Sequence, residues 1–252
     1  ENSGLSVYWA LPAGRGMRHR NIRSFLETLR RESELQVIEV PVDPDLELAE
    51  IQRRVVAHEG PALLFTNVTG SKFPVATNLF GTRRRIELAF GEDPERFFRR
   101  VAEAVEILAA PSVSKLWEFR DIAKTALRLG TRRLRSGPVI ECVMNPPRLK
   151  DLPQIRSWPM DGGAFLTLPL VYTEHPLTGK PNLGMYRNQI FDDRVAGMHF
   201  QIHRGLGFHY HEAEKMLKPL PANIFLGGPP ALIMSAVPQS ETASANSVSA
   251  RS

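Results

Sequence analysis

One cysteine, Cys142, occurs in 252 residues. A single thiol excludes an internal disulfide framework and a cysteine-only zinc site, and it fits a reducing compartment. Long apolar runs are also missing. None approaches the roughly 20 residues that a membrane-crossing helix needs, so no integral membrane segment is expected. The opening residues lack a cationic stretch followed by a long apolar core, which argues against a secretory signal. A cytoplasmic protein is the expectation. The net charge is +5, yet no helix-turn-helix pattern, zinc finger or aromatic RNP motif accompanies it, so no nucleic acid partner is expected. The arginine runs at 83–85 and 132–135 read instead as solvated helix faces or as docking for an anionic cofactor.

What is present is an ordinary globular composition, 42% hydrophobic and 23% charged, long enough for one large domain or two modest ones. Residues 1–16 carry Gly4, Pro12, Gly14 and Gly16, show no periodicity, and are expected to be an extension. From Asn21, apolar residues recur at Ile22, Phe25, Leu26 and Leu29, the stripe of an amphipathic helix. A strand is expected at 37–42. Asp43-Pro44-Asp45 is expected to cap a second helix with Leu48, Ile51 and Val55 inward and Gly60 as its stop. Ala62 to Phe65 reads as a buried strand, residues 75–76 as another, and Thr82 as the cap of a helix running to Phe90. Asp93-Pro94 opens a further helix that Pro111 ends. This alternation implies an N-terminal α/β layer over 17–115.

A basic helix at 116–134 leads into a different texture. From Pro138, prolines and glycines punctuate β-type runs at 139–143, 165–171, 183–191 and 196–202, which read as an antiparallel sheet or barrel. A helix around 212–217, a strand at 223–226 and a turn at Gly227-Gly228-Pro229-Pro230 follow. Residues 239–252 are mostly Ser, Ala, Thr and Asn. They hold too little apolar bulk to offset ordering entropy and are expected to be a disordered tail.

The chemistry-bearing residues gather in this second region. With 196–203 as a strand, Ala196, Met198, Phe200 and Ile202 share one face and His199, Gln201 and His203 the other. His199 and His203 would then lie roughly 13 Å apart along the strand, too far to share one ion. His209 and His211 raise the same question, but no third ligand sits at zinc-like spacing. Asn182 offers a neutral oxygen to a hard divalent ion. Arg187 can clamp a carboxylate or phosphate by two hydrogen bonds. Gly184 lets backbone come close to a bulky cofactor.

Taken together, Asp161-Gly162-Gly163, Leu168-Pro169-Leu170, Thr178-Gly179, Asn182-Leu183-Gly184-Met185-Tyr186-Arg187 and Met198…His203-Arg204-Gly205 resemble, in order and spacing, the middle domain of UbiD-like decarboxylases. Arg20 to Leu26, Gly60 to Phe65 and Asn78 to Thr82 resemble that family's N-terminal domain, and Gly227 to Ala231 its turn beyond the cofactor site. The resemblance runs from about Met17 to Val237.

The resemblance implies an α+β protein: the N-terminal α/β domain at 17–115, then a linker helix and an incomplete flavin-reductase-like split β-barrel at 116–238, with the family's C-terminal α/β domain missing. It implies reversible, non-oxidative decarboxylation of an aromatic or α,β-unsaturated acid with prenylated FMN. A divalent metal, Mn²⁺ or Mg²⁺, and K⁺ would bridge the flavin phosphate to protein. Asn182 and His203 would be metal ligands. Met185, Tyr186 and Arg187 would line the flavin, while His199, Phe200, Gln201, Arg204 and Gly205 would hold its phosphate and ring system. Arg187 would also hold the substrate carboxylate and poise an adjacent acid. The implied partners are the small acid, a flavin prenyltransferase supplying the cofactor, and further copies of the chain at full length. The family's third metal ligand, a glutamate, and its proton-donor acid are not recognisable in this sequence. The alternatives are a non-catalytic flavin- or phosphate-binding fragment or subunit, and a basic nucleic-acid-binding protein.

Overall fold

Asn21 starts the first helix by accepting the backbone N–H of Ser24, and the Ser24 hydroxyl accepts from the Asn21 N–H in return, a reciprocal cap that satisfies two otherwise orphaned donors. Helix α1 spans Ile22–Arg31. The computed structural model describes residues 19–90, 137, 139, 141–202 and 205–236. The extension at 1–16, the helices expected after Asp93 and at 116–134, and the tail at 239–252 lie outside them.

The N-terminal layer holds strand β1 (Leu35–Ile38), helix α2 (Glu47–Ala57), strands β2 (Ala62–Phe65) and β3 (Val75–Thr77), and helix α3 (Arg83–Phe90). β1 runs parallel to β2, and β3 pairs with β2 antiparallel. Successive side chains of β2 point to opposite faces. Ala62 packs with Phe25, Leu29, Leu79, Leu88 and Ala89 of the α1–α3 side. Leu63 and Phe65 pack with Leu48, Val42 and Val68 on the α2 side. Two expectations need correction here. The strand stops at Ile38, and Val42 makes only an isolated bridge to Val68. The N-cap of α2 is Leu46, at φ 69° and without a side-chain cap. Asp43 serves the turn instead: its carboxylate accepts the Asp45 N–H, while Glu47 accepts the Asp43 N–H.

The second unit contains β4 (Phe165–Leu166), β5 (Leu170–Glu174), β6 (Pro181–Met185), β7 (Asn188–Ile190), β8 (Ala196–Met198), helix α4 (Gly205–Lys215), β9 (Ala222–Phe225) and helix α5 (Pro230–Ser235). The described strands form two antiparallel three-stranded sheets, ordered β4-β7-β8 and β6-β5-β9, rather than a closed barrel. Several expected strands are shorter or divided. Pro169 lacks an N–H for the ladder, and the run at 165–171 splits into β4 and β5 around it. The run at 183–191 splits at Tyr186–Arg187. No strand forms at the described positions of 139–143, where Val139 and Val143 are exposed and bury no apolar face. β8 ends at Met198, so alternation does not extend to Gln201. The helix expected at 212–217 begins already at Gly205, which places His209 and His211 on a helix, not on a strand.

The two units meet through packing and hydrogen bonds. Ile155 joins the α2-side core, and Ile22 and Phe80 join the cluster around Leu170 and Ile233. Asp45 and Arg156 form a parallel bridge, with Arg156 N–H donating to Pro44 O and Leu46 N–H to Arg156 O, both at 3.0 Å.

One charge lies at the centre of the N-terminal layer. The Arg85 side chain is 1% exposed and donates through Nη1 to Glu34, at 3.0 Å, and to the Gly60 carbonyl. Its Nε and Nη2 have no partner within the described structure. Breaking a buried pair strands a charge, whereas replacing the cation removes its desolvation as well. Glu34→Ala is therefore expected to cost about 3 kcal/mol, and Arg85→Met less, when both are measured by urea unfolding. A larger loss for Arg85→Met would show that the buried pair is a net stabiliser.

Candidate functional site

Strand β6 carries the Asn182 segment. Its register with β5 sets Asn182 opposite Thr173, Leu183 opposite Tyr172 and Gly184 opposite Val171. The Tyr186 ring folds back over Gly184, so a Cβ at that position would collide with the ring. The absent side chain thus makes room for Tyr186 rather than for an approaching cofactor. Tyr186 is 6% exposed, packs with Val171 and Leu206, and accepts the Leu206 N–H through its hydroxyl at 3.3 Å. Met185 points to the other core, near Leu170 and Ile233.

Helix α4 starts against Asn182. A Cβ on Gly205 would collide with the Asn182 side-chain oxygen, so only glycine lets the helix begin this close. The same helix is tied to β5 farther along, where His209 Nδ1 lies 2.9 Å from Thr173 Oγ1. His209 is buried, and its ring meets His175 edge-on at 5.3 Å. His211, two residues on, is exposed, so the two do not face one site. His203 and Arg204, directly before Gly205 in sequence, lie outside the described residues. Among the described residues no three His, Cys, Asp or Glu converge as a metal set. The Asn182 amide oxygen lies against Gly205, the first described residue of this helix, and an amide oxygen is a donor that a hard divalent ion accepts.

Arg187 follows β6 on the segment leading into β7. Its Nη1 and Nη2 donate to the two oxygens of Asp161 at 2.8 and 2.6 Å, and its Cζ lies 3.8 Å from the Phe165 ring centroid. Asp161 also accepts the backbone N–H groups of Trp158 and Ser157. These bonds, Arg187 first, hold its carboxyl down at about 2. Arg187 and His199 share the wall of a cavity of about 380 Å³ with Phe165, Gln189, Gly197 and Met198. A second cavity, of about 450 Å³, lies between the units and is lined by Asp45, Gln154, Arg156, Asp161 and Gly162 among others. The ion pair therefore stands between the two.

The structure thus brings Arg187 to His199, and Asn182 to Gly205. Phe200 packs on the cluster of Val171, Tyr186 and Leu206 and against the Tyr210 ring, with ring centroids 5.4 Å apart, and Gln201 is exposed. Sequence reasoning missed Phe165 and Gln189, which are cross-strand partners, and it missed the acid that Arg187 holds. Alternation would have placed Gln189 on the Arg187 side, but the pairing with β4 could not be read from spacing.

Burial, followed by the nearby charges of His175 and Lys180, holds the His209 imidazole below its ordinary range. The unfolded chain then takes up this proton more readily than the folded one, so stability falls as pH drops through about 6.5 and levels off once the folded form also protonates. The melting temperature is expected to decline over that window. His209→Asn, which can keep the bond to Thr173, should flatten the decline. An unchanged slope would remove His209 as its source.

Comparison with known proteins agrees with this architecture. Residues 26–105 match the 3-octaprenyl-4-hydroxybenzoate carboxy-lyase N-terminal domain, and residues 132–247 match the Rift-related domain of the same carboxy-lyase. A 4-hydroxybenzoate decarboxylase component of Chlamydia pneumoniae is 47% identical over 216 residues, covering 86% of this chain and 37% of that protein. Vanillic acid decarboxylase of Sedimentibacter hydroxybenzoicus shares the fold at TM-score 0.70 and 23% identity, over 87% of this chain and 45% of that one. An evolved dimeric form of the UbiD-class enzyme HmfF from Pelotomaculum thermopropionicum, in complex with prFMN, does so at 0.66 and 24%, over 84% and 45%. The chain spans less than half the length of each of these proteins. With two consecutive domain matches on a fold of the same kind, the chain belongs to the UbiD family of carboxy-lyases.

Proposed function

We propose that the protein removes CO₂ from a hydroxyaryl carboxylic acid with the help of prenylated FMN and a divalent metal, Mn²⁺ or Mg²⁺. The observation that carries this reading is Arg187: a guanidinium fixed by Asp161 and Phe165 in a cavity wall beside His199, in a chain of the carboxy-lyase family. The substrate class follows from the relatives, one named for 4-hydroxybenzoate and one for vanillic acid.

Loss of CO₂ leaves an electron pair on carbon that protein side chains cannot delocalise, and the modified flavin supplies the electron sink. The chain's own part is binding and orientation. Arg187 holds the acid's carboxylate by charge-assisted hydrogen bonds. Phe165 covers one face of the guanidinium. Asn182 and His203 would hold the metal at the flavin phosphate, with K⁺ as a second bridging ion. His199, Phe200, Gln201, Arg204 and Gly205 would hold phosphate and ring, and Met185, Tyr186 and Arg187 would line the flavin. Tyr186 also ties the first described turn of α4 to the end of β6, through its bond to Leu206. A bound ion is the largest local charge in such a site and neutralises the phosphate.

The test is a titration of the protein with prenylated FMN and Mn²⁺ followed by absorbance, then CO₂ release from hydroxybenzoates by the full-length form. Metal-dependent binding weakened about tenfold or more in Asn182→Ala is the expected result. Arg187→Ala should retain the flavin and lower kcat/KM by a factor on the order of 10², the cost of an acid no longer held in its reacting orientation. Flavin binding indifferent to metal and to Asn182 would contradict the assignment.

A further inference from the structure

Arg187 does not stand free in its cavity. Asp161 takes the end of the guanidinium fork with both oxygens, and Phe165 covers one face. The planar group has five N–H donors and two edges that suit a carboxylate. With the Nη1/Nη2 edge occupied, the edge carrying Nε–H is left for a ligand. The orientation of that edge is set by Asp161, whose side chain is only 11% exposed, against 31% for Arg187.

Asp161 is itself held. Its own N–H donates to Trp158 O at 3.0 Å, and its Oδ2 accepts from Trp158 at 3.1 Å and Ser157 at 3.3 Å. That turn begins one residue after Arg156, which is bridged to the N-terminal layer at Asp45. On its far side, Gly162 and Gly163 lie under the Gln189 amide, so closely that a Cβ at 163 would push against it. The turn is therefore held on both sides, by the Arg156 bridge to the N-terminal layer and by the Ile190 N–H, which donates to Ala164 O at 3.2 Å.

We propose that Asp161 is a positioning residue for Arg187, fixing the guanidinium so that a substrate carboxylate meets the Nε–H edge of an already neutralised cation. This rests on the decarboxylase reading above. Neutralisation has a catalytic reason. A carboxylate about to leave as neutral CO₂ gains nothing from tight ground-state binding, because only interactions that strengthen in the transition state raise the rate. A bare arginine would deepen the ground state; an arginine shared with Asp161 orients the acid without holding it back.

The experiment compares wild type, Asp161→Asn and Asp161→Glu, first without cofactor. The side-chain Nη–H resonances of Arg187, the groups that Asp161 binds, assigned by their loss in Arg187→Lys, report whether the guanidinium is held. A dispersed, slowly exchanging signal is expected in wild type. It should collapse toward that of a free arginine in Asp161→Asn, and recover at least in part in Asp161→Glu. In the flavin-loaded full-length protein, Asp161→Asn should lower kcat by about a hundredfold, the cost of misplacing a reacting group by an ångström, with a smaller change in KM. An unchanged resonance in Asp161→Asn, or Asp161→Glu no better than Asp161→Asn, overturns the proposal. So does fast exchange in wild type, which needs no variant to fold. If no form binds the flavin, the decarboxylase reading fails, and the resonance still decides whether Asp161 positions Arg187.

Discussion

The register between β5 and β6 is the constraint on which the site depends. Four of the five residues of β5 are buried, and its two faces serve different cores. Leu170 packs with Ile233 and Ala236 of α5 and its following turn, while Val171 packs with Tyr186 and Leu206. A slip of one residue would exchange these faces, which makes the alignment costly to change. Because the alignment is fixed, Thr173 stands opposite Asn182, and the Thr173 hydroxyl reaches His209 on α4. The helix is then set with Gly205 against Asn182. One backbone pairing thus places an amide oxygen, a helix start and a buried histidine relative to one another.

Two arginines illustrate how the same side chain serves different ends. In the run 83–85, Arg83 and Arg84 lie on the surface in ion pairs with Glu87 and Glu32, contacts worth little in water. Arg85 is turned inward and joins α3 to Glu34 and to the Gly60 carbonyl. Arg187 also has a carboxylate partner, but it is partly open to a cavity and backed by an aromatic ring. Deep burial makes the first a tie between elements. Partial exposure leaves the second able to meet a ligand.

Much of the N-terminal layer was legible because its signals are local. The stripe at Ile22, Phe25, Leu26 and Leu29 describes α1 without reference to the rest of the chain. The short apolar run at 62–65 likewise could only be a buried strand in that context. The second unit was harder. Its strands are two to five residues long, and the β-type runs at 165–171 and 183–191 read as continuous across the breaks at Pro169 and at Tyr186–Arg187. The first described turn of α4 was missed because Gly205 and Gly207 are poor helix formers; its contacts with Asn182 and Tyr186 are distant in sequence and leave no local signal. Arg187 and Asn182 were singled out through the order and spacing of the motifs that resemble the family. Asp161 stood within a recognised motif, but its pairing across 26 residues depends on how β4 and β7 align, which no local pattern encodes.

The bridge between Asp45 and Arg156 has a consequence for the order in which the chain assembles. Within the N-terminal layer, Leu35 pairs with Ala62 and Leu63 with Thr77, separations that a growing chain closes early. The Asp45–Arg156 contact spans 111 positions. Short loops close at lower entropic cost than long ones, so local pairings tend to form first. During synthesis the first unit can therefore acquire its shape while the second is still being made. The edge at 44–46 can then stand complete before residue 156 reaches it, so the second unit joins a layer held by its own shorter-range pairings.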